Sequence, residues 1–494
     1  MARIADTLTE AGHNVTFFMP IIDEARRDQL GVKVTKDVVI LEQDEEMKSQ
    51  IISIDSIMNV FWTMDVKSWN AKTILQTFHK QTTLCCGNVF RNKKVLEELK
   101  NRNFDVGITE PLQSCGLALF KYLGIEKSVM SSSCVNYDIL LPATGEPEDT
   151  SYNPSMSSQV TDQMNFSDRL ENYRIFDSFH RMFDDEAKMY RKYIGADFPD
   201  WRTLIPDASI HFVNAVPFID FPRPTLQKTI PIGGIAVDME KIRAEKLPES
   251  LNEILNRRER NMFLSFGTLA KSSEMPENFK KNLISVFRAE PNVTFIWKYE
   301  SEDVEFAENL GNVVFVKWVP QTALLNDNRL TAFLSHGGLG STNEAAFLGK
   351  PVIMVPIFAD QSRNANMLAR QGMAIALHKS DLGDLEKVRN AFHDILYDEK
   401  YRLTAERVSS MLQDMPLNPK EMLIKYIEFV GNYGPFHLMT PYSMKMPWYQ
   451  RYNYDIYVYN ASFYVLAGVL LYFARFLFSK VSAKFVKKSV EKND

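Results

Sequence analysis

Short apolar runs of strand length alternate with helical patterns between residues 261 and 377. The runs lie at residues 262–266, 294–297, 313–316, 332–334 and 352–355. Runs that are apolar at nearly every position are typical of strands buried on both faces, which occur in parallel sheets covered by their connecting helices. The alternation therefore predicts a parallel α/β domain in this half of the chain.

The first half of the chain carries strand-like runs as well, at residues 15–18, 38–41, 104–108 and 210–213. A polar, helix-favouring segment covers residues 161–193, and a stretch rich in proline and glycine at 217–248 is predicted to be the linker. We therefore predict an N-terminal α/β domain over residues 1–235 and a C-terminal one over 236–430. Ligands of open α/β sheets bind beyond the carboxyl ends of the strands, so the cleft between the domains is the expected site.

The C-terminal region is almost wholly apolar and aromatic from residue 457 to 478. A helix of this length crosses a hydrocarbon core of ~30 Å, and the alternative is a buried core helix. Lysines follow it and favour the cytoplasmic side. We predict a return segment toward the membrane at 431–456, one transmembrane helix at 457–478 and a basic cytoplasmic tail at 479–494.

Composition excludes some classes of protein. The net charge of −5 argues against a nucleic-acid-binding protein, which usually carries a basic excess. Four cysteines in 494 residues make no disulfide framework, and they form no CxxC pair of the kind that binds zinc. We therefore expect buried free thiols and no metal site. The cysteines are Cys85, Cys86, Cys115 and Cys134.

A glycine-rich turn follows the run at 332–334, with the sequence SHGGLGSTNE over residues 335–344. Glycines let the backbone approach a phosphate closely, and the helix that begins there offers free N–H groups and a positive dipole end. His336 can add a hydrogen bond. Ser341 and Glu344 also have the spacing of a capping box, so Glu344 could serve only to cap the helix.

Two other strand ends carry polar and aromatic side chains. Asp360 and Gln361 follow the run at 352–355, where they could bind sugar hydroxyls, although Asp360 could also be a simple N-cap. Trp318 and Gln321 follow the run at 313–316. The indole of Trp318 could stack on a base or could belong to the core.

The segment from Trp318 to Gln361 resembles the signature of the UDP-glycosyltransferase family, in its animal, membrane-anchored, UDP-glucuronosyltransferase-like branch. A weaker resemblance covers nearly the whole chain. It implies a GT-B fold, in which two Rossmann-like domains face each other across a cleft. It also implies inverting transfer of a glucuronosyl or other hexosyl group from UDP-glucuronate or UDP-glucose to a small lipophilic acceptor. The UDP-sugar is a co-substrate, and no cofactor is implied.

The resemblance also implies a role for each residue of the donor site. It implies that Trp318 stacks on the uracil ring, that Gln321 binds the uridine and that Glu344 binds the ribose hydroxyls. It implies that His336 and Gly338 bind the diphosphate and that Ser265 and Thr268 lie in a loop that contacts the phosphates. Asp360 and Gln361 would bind the hydroxyls of the transferred sugar. Where the family often has an asparagine this chain has Gly340, so a backbone N–H would replace that side chain.

The catalytic base of the family is a histidine in the loop after the first strand, oriented by an aspartate of the first domain. The resemblance places Glu110 at the position of that aspartate. It places the signal peptide, the first strand and the base histidine before Met1, and His13 only in the turn after the first helix. We therefore expect transfer to be impaired in this chain.

The alternative function is a non-catalytic subunit that binds a UDP-sugar or pairs with a complete relative, and homo- or hetero-oligomers are compatible with both functions. A dinucleotide-dependent epimerase or dehydrogenase is disfavoured because no GxGxxG follows an N-terminal strand. The resemblance implies the membrane of the endoplasmic reticulum. Four N-glycosylation sequons begin at Asn14, Asn165, Asn292 and Asn460.

Overall fold

The computed structural model describes residues 1–53, 57–179, 182–307 and 310–490. Its strands form a two-stranded sheet, a four-stranded sheet and a six-stranded sheet, and neighbouring strands are parallel in each. The strands are β1 (Thr16–Pro20), β2 (Asp37–Leu41), β3 (Gly107–Thr109), β4 (Ser128–Ser132), β5 (Ile210–Val213), β6 (Thr229–Pro231), β7 (Arg260–Ser265), β8 (Val293–Lys298), β9 (Val313–Val316), β10 (Leu330–Ser335), β11 (Val352–Met354) and β12 (Ala374–Ala376).

Helices connect these strands along the whole chain. In the first half they are α1 (Ala2–Glu10), α2 (Glu45–Gln50), α3 (Ser68–Arg91), α4 (Lys93–Lys100), α5 (Cys115–Leu123), α6 (Leu140–Thr144), α7 (Phe166–Ser178), α8 (Asp184–Ile194) and α9 (Trp201–Asp207). In the second half they are α10 (Met239–Ala244), α11 (Glu249–Leu255), α12 (Glu277–Ala289), α13 (Gln321–Asn326), α14 (Leu339–Phe347), α15 (Gln361–Gln371), α16 (Leu385–Tyr397), α17 (Glu399–Gln413), α18 (Pro419–Tyr433), α19 (Trp448–Arg451) and α20 (Tyr454–Val490).

The six-stranded sheet has the strand order β12-β11-β10-β7-β8-β9, and it contains all five apolar runs predicted to be strands. Successive side chains of a strand point to opposite faces, and both faces of this sheet are buried. On one face, Phe287 of α12 stacks on Phe295 of β8 at 4.1 Å between ring centroids. On the other, Phe263 of β7 stacks on Phe333 of β10 at 5.2 Å. Burial on both faces explains why the runs do not alternate with polar residues.

The four-stranded sheet, in the order β3-β4-β5-β6, belongs to the first half of the chain. Its edge strand β6 and helix α10 both lie inside the stretch 217–248, which the sequence predicted to be only a linker. Pro231 ends this strand, and an edge position tolerates proline because the missing N–H is not needed by a further strand. The linker prediction was therefore wrong for this part of the stretch.

Helix α18 lies within the predicted C-terminal domain but packs on the first half of the chain. Its buried residues Leu423 and Ile427 share an apolar cluster with Ile4 and Leu8 of α1 and with Phe212 of β5. His13 lies in the turn after α1, as predicted, and its Nε2 is 3.4 Å from the carboxylate of Glu428 on α18. After the six-stranded sheet is complete, the chain therefore returns and packs against the four-stranded sheet of the first half.

The two halves of the chain also meet through α15. Arg363 forms a buried ion pair with Asp220 at 2.7 Å, and Asn366 donates hydrogen bonds to the carbonyl oxygens of Gln159 and Val160. Because α15 starts at the predicted sugar-binding residues, these contacts join that helix to the first half of the chain.

Two cysteines were predicted wrongly to be free thiols. Cys86 of α3 and Cys115 of α5 form a disulfide, with Cα atoms 5.8 Å apart. Their separation of 29 residues carries no recognisable spacing, so only the packing of α3 against α5 reveals the pair. Cys85 and Cys134 are free, and Cys85 is buried as expected.

The C-terminal residues 440–494 form a separate compact unit. Helix α20 begins at Tyr454 and continues to Val490, so it is longer than the predicted span of 457–478. Residues Tyr454–Lys484 are long and apolar enough to cross a membrane, and none of the apolar window is buried by protein. An apolar helix that no protein covers favours a membrane span over a core helix.

Candidate functional site

Two equivalent turns lie side by side at the carboxyl ends of β7 and β10. The strands are neighbours, and Ser265 is in register with Ser335. The hydroxyl oxygen of Ser265 accepts a hydrogen bond from the N–H of Gly267, and that of Ser335 accepts one from the N–H of Gly337. Gly267 has a φ of 81° and Gly337 a φ of 84°, a region that favours glycine. The last serine of each strand therefore organises a tight turn.

His336 is enclosed by glycines. A Cβ atom on Gly267 would lie 2.6 Å from His336 Cε1, and one on Gly338 would lie 2.7 Å from Nε2, so neither position has room for a side chain. Burial, together with the positive charge of Lys298, lowers the pKa of His336 to about 4. The imidazole is therefore neutral at pH 7. Its Nδ1 has no hydrogen-bond partner among the described residues. A neutral, unpartnered ring is suited to hydrogen-bond an anionic oxygen.

Helix α14 starts directly after this turn. Its N-cap is Gly338, which supplies no side-chain cap, and the space beside Gly340 is open for 4 Å among the described residues. Ser341 and Glu344 consequently lie in the first and second turns, not at the N-cap, so the capping-box alternative for Glu344 is wrong. The helix start leaves free backbone N–H groups where the resemblance implies a diphosphate.

Gln321 and Glu344 are brought together although 23 residues separate them. The amide Nε2 of Gln321 donates to Glu344 Oε2 at 2.6 Å and to the hydroxyl oxygen of Ser341 at 2.9 Å. Burial raises the pKa of Glu344, and the hydrogen bond from Gln321 partly opposes that rise. The other carboxylate oxygen of Glu344 could accept hydrogen bonds from a ribose.

Trp318 lies between β9 and α13, three residues before Gln321. Its side chain is 74% exposed, so it is not a core tryptophan. A large exposed indole close to a polar pair is the arrangement that a stacked base requires.

Asp360 and Gln361 follow β11 and precede α15. Asp360 occupies the N-cap position, but its side chain makes no cap hydrogen bond; its Oδ2 accepts from Asn364 Nδ2 at 3.0 Å. Asn364 also donates to the carbonyl oxygen of Gly337 and thereby joins this loop to the glycine turn. The amide oxygen of Gln361 accepts from the N–H groups of Ile357 and Phe358, so it holds its own loop.

Two further side chains lie beside the first turn. Thr268 is exposed immediately after Gly267. Lys298, at the end of β8, is half-buried, and its ammonium donates to the carbonyl oxygen of Gly267. Burial lowers the pKa of Lys298, with the carboxylate of Glu300 opposing the shift. The strand order explains this position, because β8 is next to β7 and both end at the same edge.

Glu110 follows β3 in the first half of the chain. Its Oε1 accepts from the hydroxyl of Tyr137 at 2.9 Å, and its Oε2 accepts from the N–H of Ser133 at 3.0 Å. Burial raises the pKa of Glu110, and these hydrogen bonds oppose the rise. Burial, followed by the charges of Asp360 and Glu110, raises the pKa of the Cys134 thiol well above its usual value. Cys134 therefore lies close to a carboxylate from each half of the chain.

Sequence reasoning did not identify Asn364, Cys134 or Tyr137. Each occupies an ordinary helix or loop position with no motif around it, and each acquires its place only because distant segments meet. Asn364 lies three residues after Gln361 on the same helix. That helical spacing was the one sequence signal that could have placed Asn364 near the predicted sugar-binding residues.

Known proteins resemble this chain over most of its length. The family described as "UDP-glucoronosyl and UDP-glucosyl transferase" matches residues 1–493. The UDP-glucuronosyltransferase ugt-56 of Caenorhabditis elegans is 30% identical over 436 residues, which cover 86% of this chain and 81% of that protein. UDP-glucuronosyltransferase 3A1 of Bos taurus is 27% identical over 475 residues, which cover 93% of this chain and 87% of that protein.

Solved structures resemble the fold. The glycosyltransferase VinC, in a crystal structure with DTDP, has a TM-score of 0.59 and 16% identity, covering 88% of this chain and 96% of VinC. The fold is GT-B, with parallel α/β sheets and one apolar C-terminal helix as a candidate membrane span. On the match over residues 1–493, this chain belongs to the UDP-glucuronosyl and UDP-glucosyl transferase family.

Proposed function

We propose that the chain binds a UDP-sugar at the carboxyl edge of the six-stranded sheet and transfers its hexosyl group, with inversion, to a small lipophilic acceptor. The observation that carries the proposal is the hydrogen bond between Gln321 and Glu344 on α13 and α14, with the exposed indole of Trp318 three residues before Gln321. These groups come from two strand ends and have complementary partners on one uridine nucleotide. UDP-glucuronate and UDP-glucose are the two donors that we propose.

In the proposed reaction the acceptor hydroxyl attacks C1 of the sugar, and the bond between C1 and the diphosphate oxygen breaks. Negative charge then grows on the leaving UDP. The N–H groups at the start of α14 and the neutral imidazole of His336 would stabilise that charge. Asp360, held by Asn364, would accept hydrogen bonds from the sugar hydroxyls.

A base must take the proton of the acceptor hydroxyl. We propose that Glu110 orients a base histidine, as the position in the family implies. Its carboxylate is held by Tyr137 and Ser133, so its orientation is defined. Loss of such a base would slow transfer by a factor on the order of 10²–10⁴.

Calorimetry with UDP tests the donor site. We expect the full chain in detergent to bind UDP, and Glu344→Gln to weaken binding about tenfold through loss of a charged acceptor. Glu399→Gln at the start of α17 is the matched control, since that carboxylate is exposed and pairs with Arg402. Absence of UDP binding by the unchanged chain would overturn the proposal.

Measurements of turnover test the role of the catalytic base. The polypeptide beginning at Met1 is compared with one extended by a strand and a histidine loop, using UDP-glucuronate and UDP-glucose with a lipophilic phenol. Full activity from Met1 onward would contradict the assigned role of an upstream histidine. Binding of UDP without turnover by either polypeptide would favour the non-catalytic subunit.

We also propose residence in the endoplasmic reticulum, anchored once by α20. The Cys86–Cys115 disulfide supports an oxidising compartment for the domains, because disulfides are rare in the cytosol. The lysines that follow the apolar window support a cytoplasmic tail.

A further inference from the structure

A short segment of the first half of the chain lies in the core of the second. Residues 57–66, here called the brace, precede α3 and contain Met58, Phe61 and Trp62, all of which are at most 2% exposed. These side chains belong to the same apolar cluster as Leu264 of β7. The brace is therefore part of the core on one face of the six-stranded sheet, although it is far from that sheet in sequence.

The brace contacts the two loops that carry the donor site. The indole of Trp62 packs edge-on against Phe266 at 5.0 Å between centroids, and its N–H donates to the carbonyl oxygen of Lys271 at 3.2 Å. The ring of Phe61 packs against Phe358 at 5.6 Å. Phe266 directly precedes Gly267, and Phe358 lies two residues before Asp360. Each aromatic contact is thus one or two residues from the donor site.

Lys379 joins the brace to the second of these loops. Its buried ammonium donates to the carbonyl oxygens of Phe61 and Met64 in the brace and to that of Ile357 in the loop. Asp65 of the brace lies 3.0 Å from the same ammonium and 3.1 Å from Nε2 of His378. The ammonium of Lys379 therefore links the backbone of the brace to the backbone of the second donor loop.

The second loop needs such support. Ala359 has a φ of 54°, a left-handed conformation that residues with a Cβ rarely adopt. Such a conformation persists only where the surrounding structure imposes it. The ring of Phe61 on Phe358 and the ammonium of Lys379 on Ile357 act on the two residues that precede Ala359.

We propose that the brace is a positioning element that holds both donor loops in their binding conformation, so that a segment of the first half sets the affinity for the UDP-sugar. The inference rests on the proposed function. It assigns no contact with the nucleotide to the brace itself. Loss of the brace contacts should raise Kd for UDP and KM for the UDP-sugar, and should leave kcat at saturating donor within about twofold.

Trp62→Leu and Phe61→Leu in the full chain test the proposal. We expect each to raise Kd for UDP about tenfold, the size of a lost aromatic contact. Phe392→Leu on α16 is the control, because Phe392 is fully buried in the same cluster and its ring packs on Phe287 and Phe295. It should lower Tm as much as the brace variants do and leave Kd unchanged.

Asp65→Asn is a second variant, which leaves the aromatic side chains of the brace unchanged. It weakens the hold on Lys379, and we expect a rise in Kd of about threefold. An unchanged Kd in Asp65→Asn and the aromatic variants, with normal UDP binding by the unchanged chain, overturns the brace and leaves the proposed function standing. A rise in Kd for Phe392→Leu equal to that for Trp62→Leu also overturns it. Failure of the unchanged chain to bind UDP overturns both.

Discussion

Trp318 shows how one side chain can be recognised by type but not by environment. An indole after a strand is compatible with a core position, and only the 74% exposure of this ring excludes it. Trp318 lies in the segment between β9 and α13, outside both elements. Asp360 shows the same limit, since its position is that of an N-cap while its carboxylate accepts from Asn364.

Replacement of Trp318 by alanine should weaken UDP binding by about tenfold, the loss expected for one base–aromatic stack. Stability should change by less than about 0.5 kcal/mol, because an exposed side chain contributes little to the core. Calorimetry and thermal unfolding measure the two effects. Trp318→Phe is the control that keeps a ring, and it should retain most of the affinity. Equal binding by the alanine variant would exclude stacking.

At the scale of elements, patterns predicted strands well where a run is almost wholly apolar and poorly elsewhere. All five runs of the six-stranded sheet were predicted, because each is apolar along its length. Strand β4, Ser128–Ser132, was not predicted, and β6 was placed in a linker. Their residues are serine-rich or contain proline, and they become strands because neighbouring strands pair with them. Local preference alone would not select that conformation.

Helices α3, α5 and α8 meet around a buried carboxylate. Glu186 Oε2 on α8 accepts from the N–H and the hydroxyl of Ser114 before α5, and its Oε1 is 3.7 Å from His79 Nδ1 on α3. Burial raises the pKa of Glu186 to about 7. The disulfide between Cys86 and Cys115 joins two of the same helices.

The titration of Glu186 gives a pH dependence with a defined sign. Its folded pKa of about 7 lies above the ordinary 4.5, so its contribution to stability is complete below pH 4.5 and is lost as pH rises to 7. The free energy of unfolding of Glu186→Gln, relative to that of the unchanged chain, should therefore increase over that window by up to about 3 kcal/mol. Urea unfolding from pH 4 to 8 measures the difference.

The control for this experiment is Glu259→Gln, since Glu259 is an exposed carboxylate that lies near the guanidinium of Arg260. Its difference from the unchanged chain should stay nearly constant over the same pH window. Burial lowers the pKa of His79 and the charge of Asp185 opposes that shift, so Asp185 is kept in both variants. A constant difference for Glu186→Gln as well would show that this carboxylate does not titrate near pH 7.

At the scale of the whole molecule, the two halves exchange segments. The brace enters the core of the second half, and α18 returns to the first, where Leu423 is fully buried beside Ile4 and Leu8 of α1. Domain limits placed along the sequence therefore separate the sheets of the two halves. They do not separate the two apolar cores, because each core contains a segment from the other half. The limits 1–235 and 236–430 stay predictions.

Leu423→Ala should cost about 2–5 kcal/mol of unfolding free energy, since a fully buried leucine leaves a cavity between α18 and α1. Leu403→Ala on α17 is the control, because that leucine is mostly exposed. Urea unfolding followed by circular dichroism gives both values. Equal, small losses in the two variants would mean that α18 does not support the first sheet.

The sequence by itself determined the parallel α/β class, the apolar C-terminal helix, the family, and the residue types at the donor site. These depend on local periodicity and on short motifs, which act within a few residues. Tertiary structure decided the Cys86–Cys115 pair, the enclosure of His336 by Gly267, the burial of Lys379 and the place of the brace. Each of these depends on contacts between segments far apart in the chain. No local pattern encodes them, because their energy comes from surfaces that meet only when the sheets are assembled.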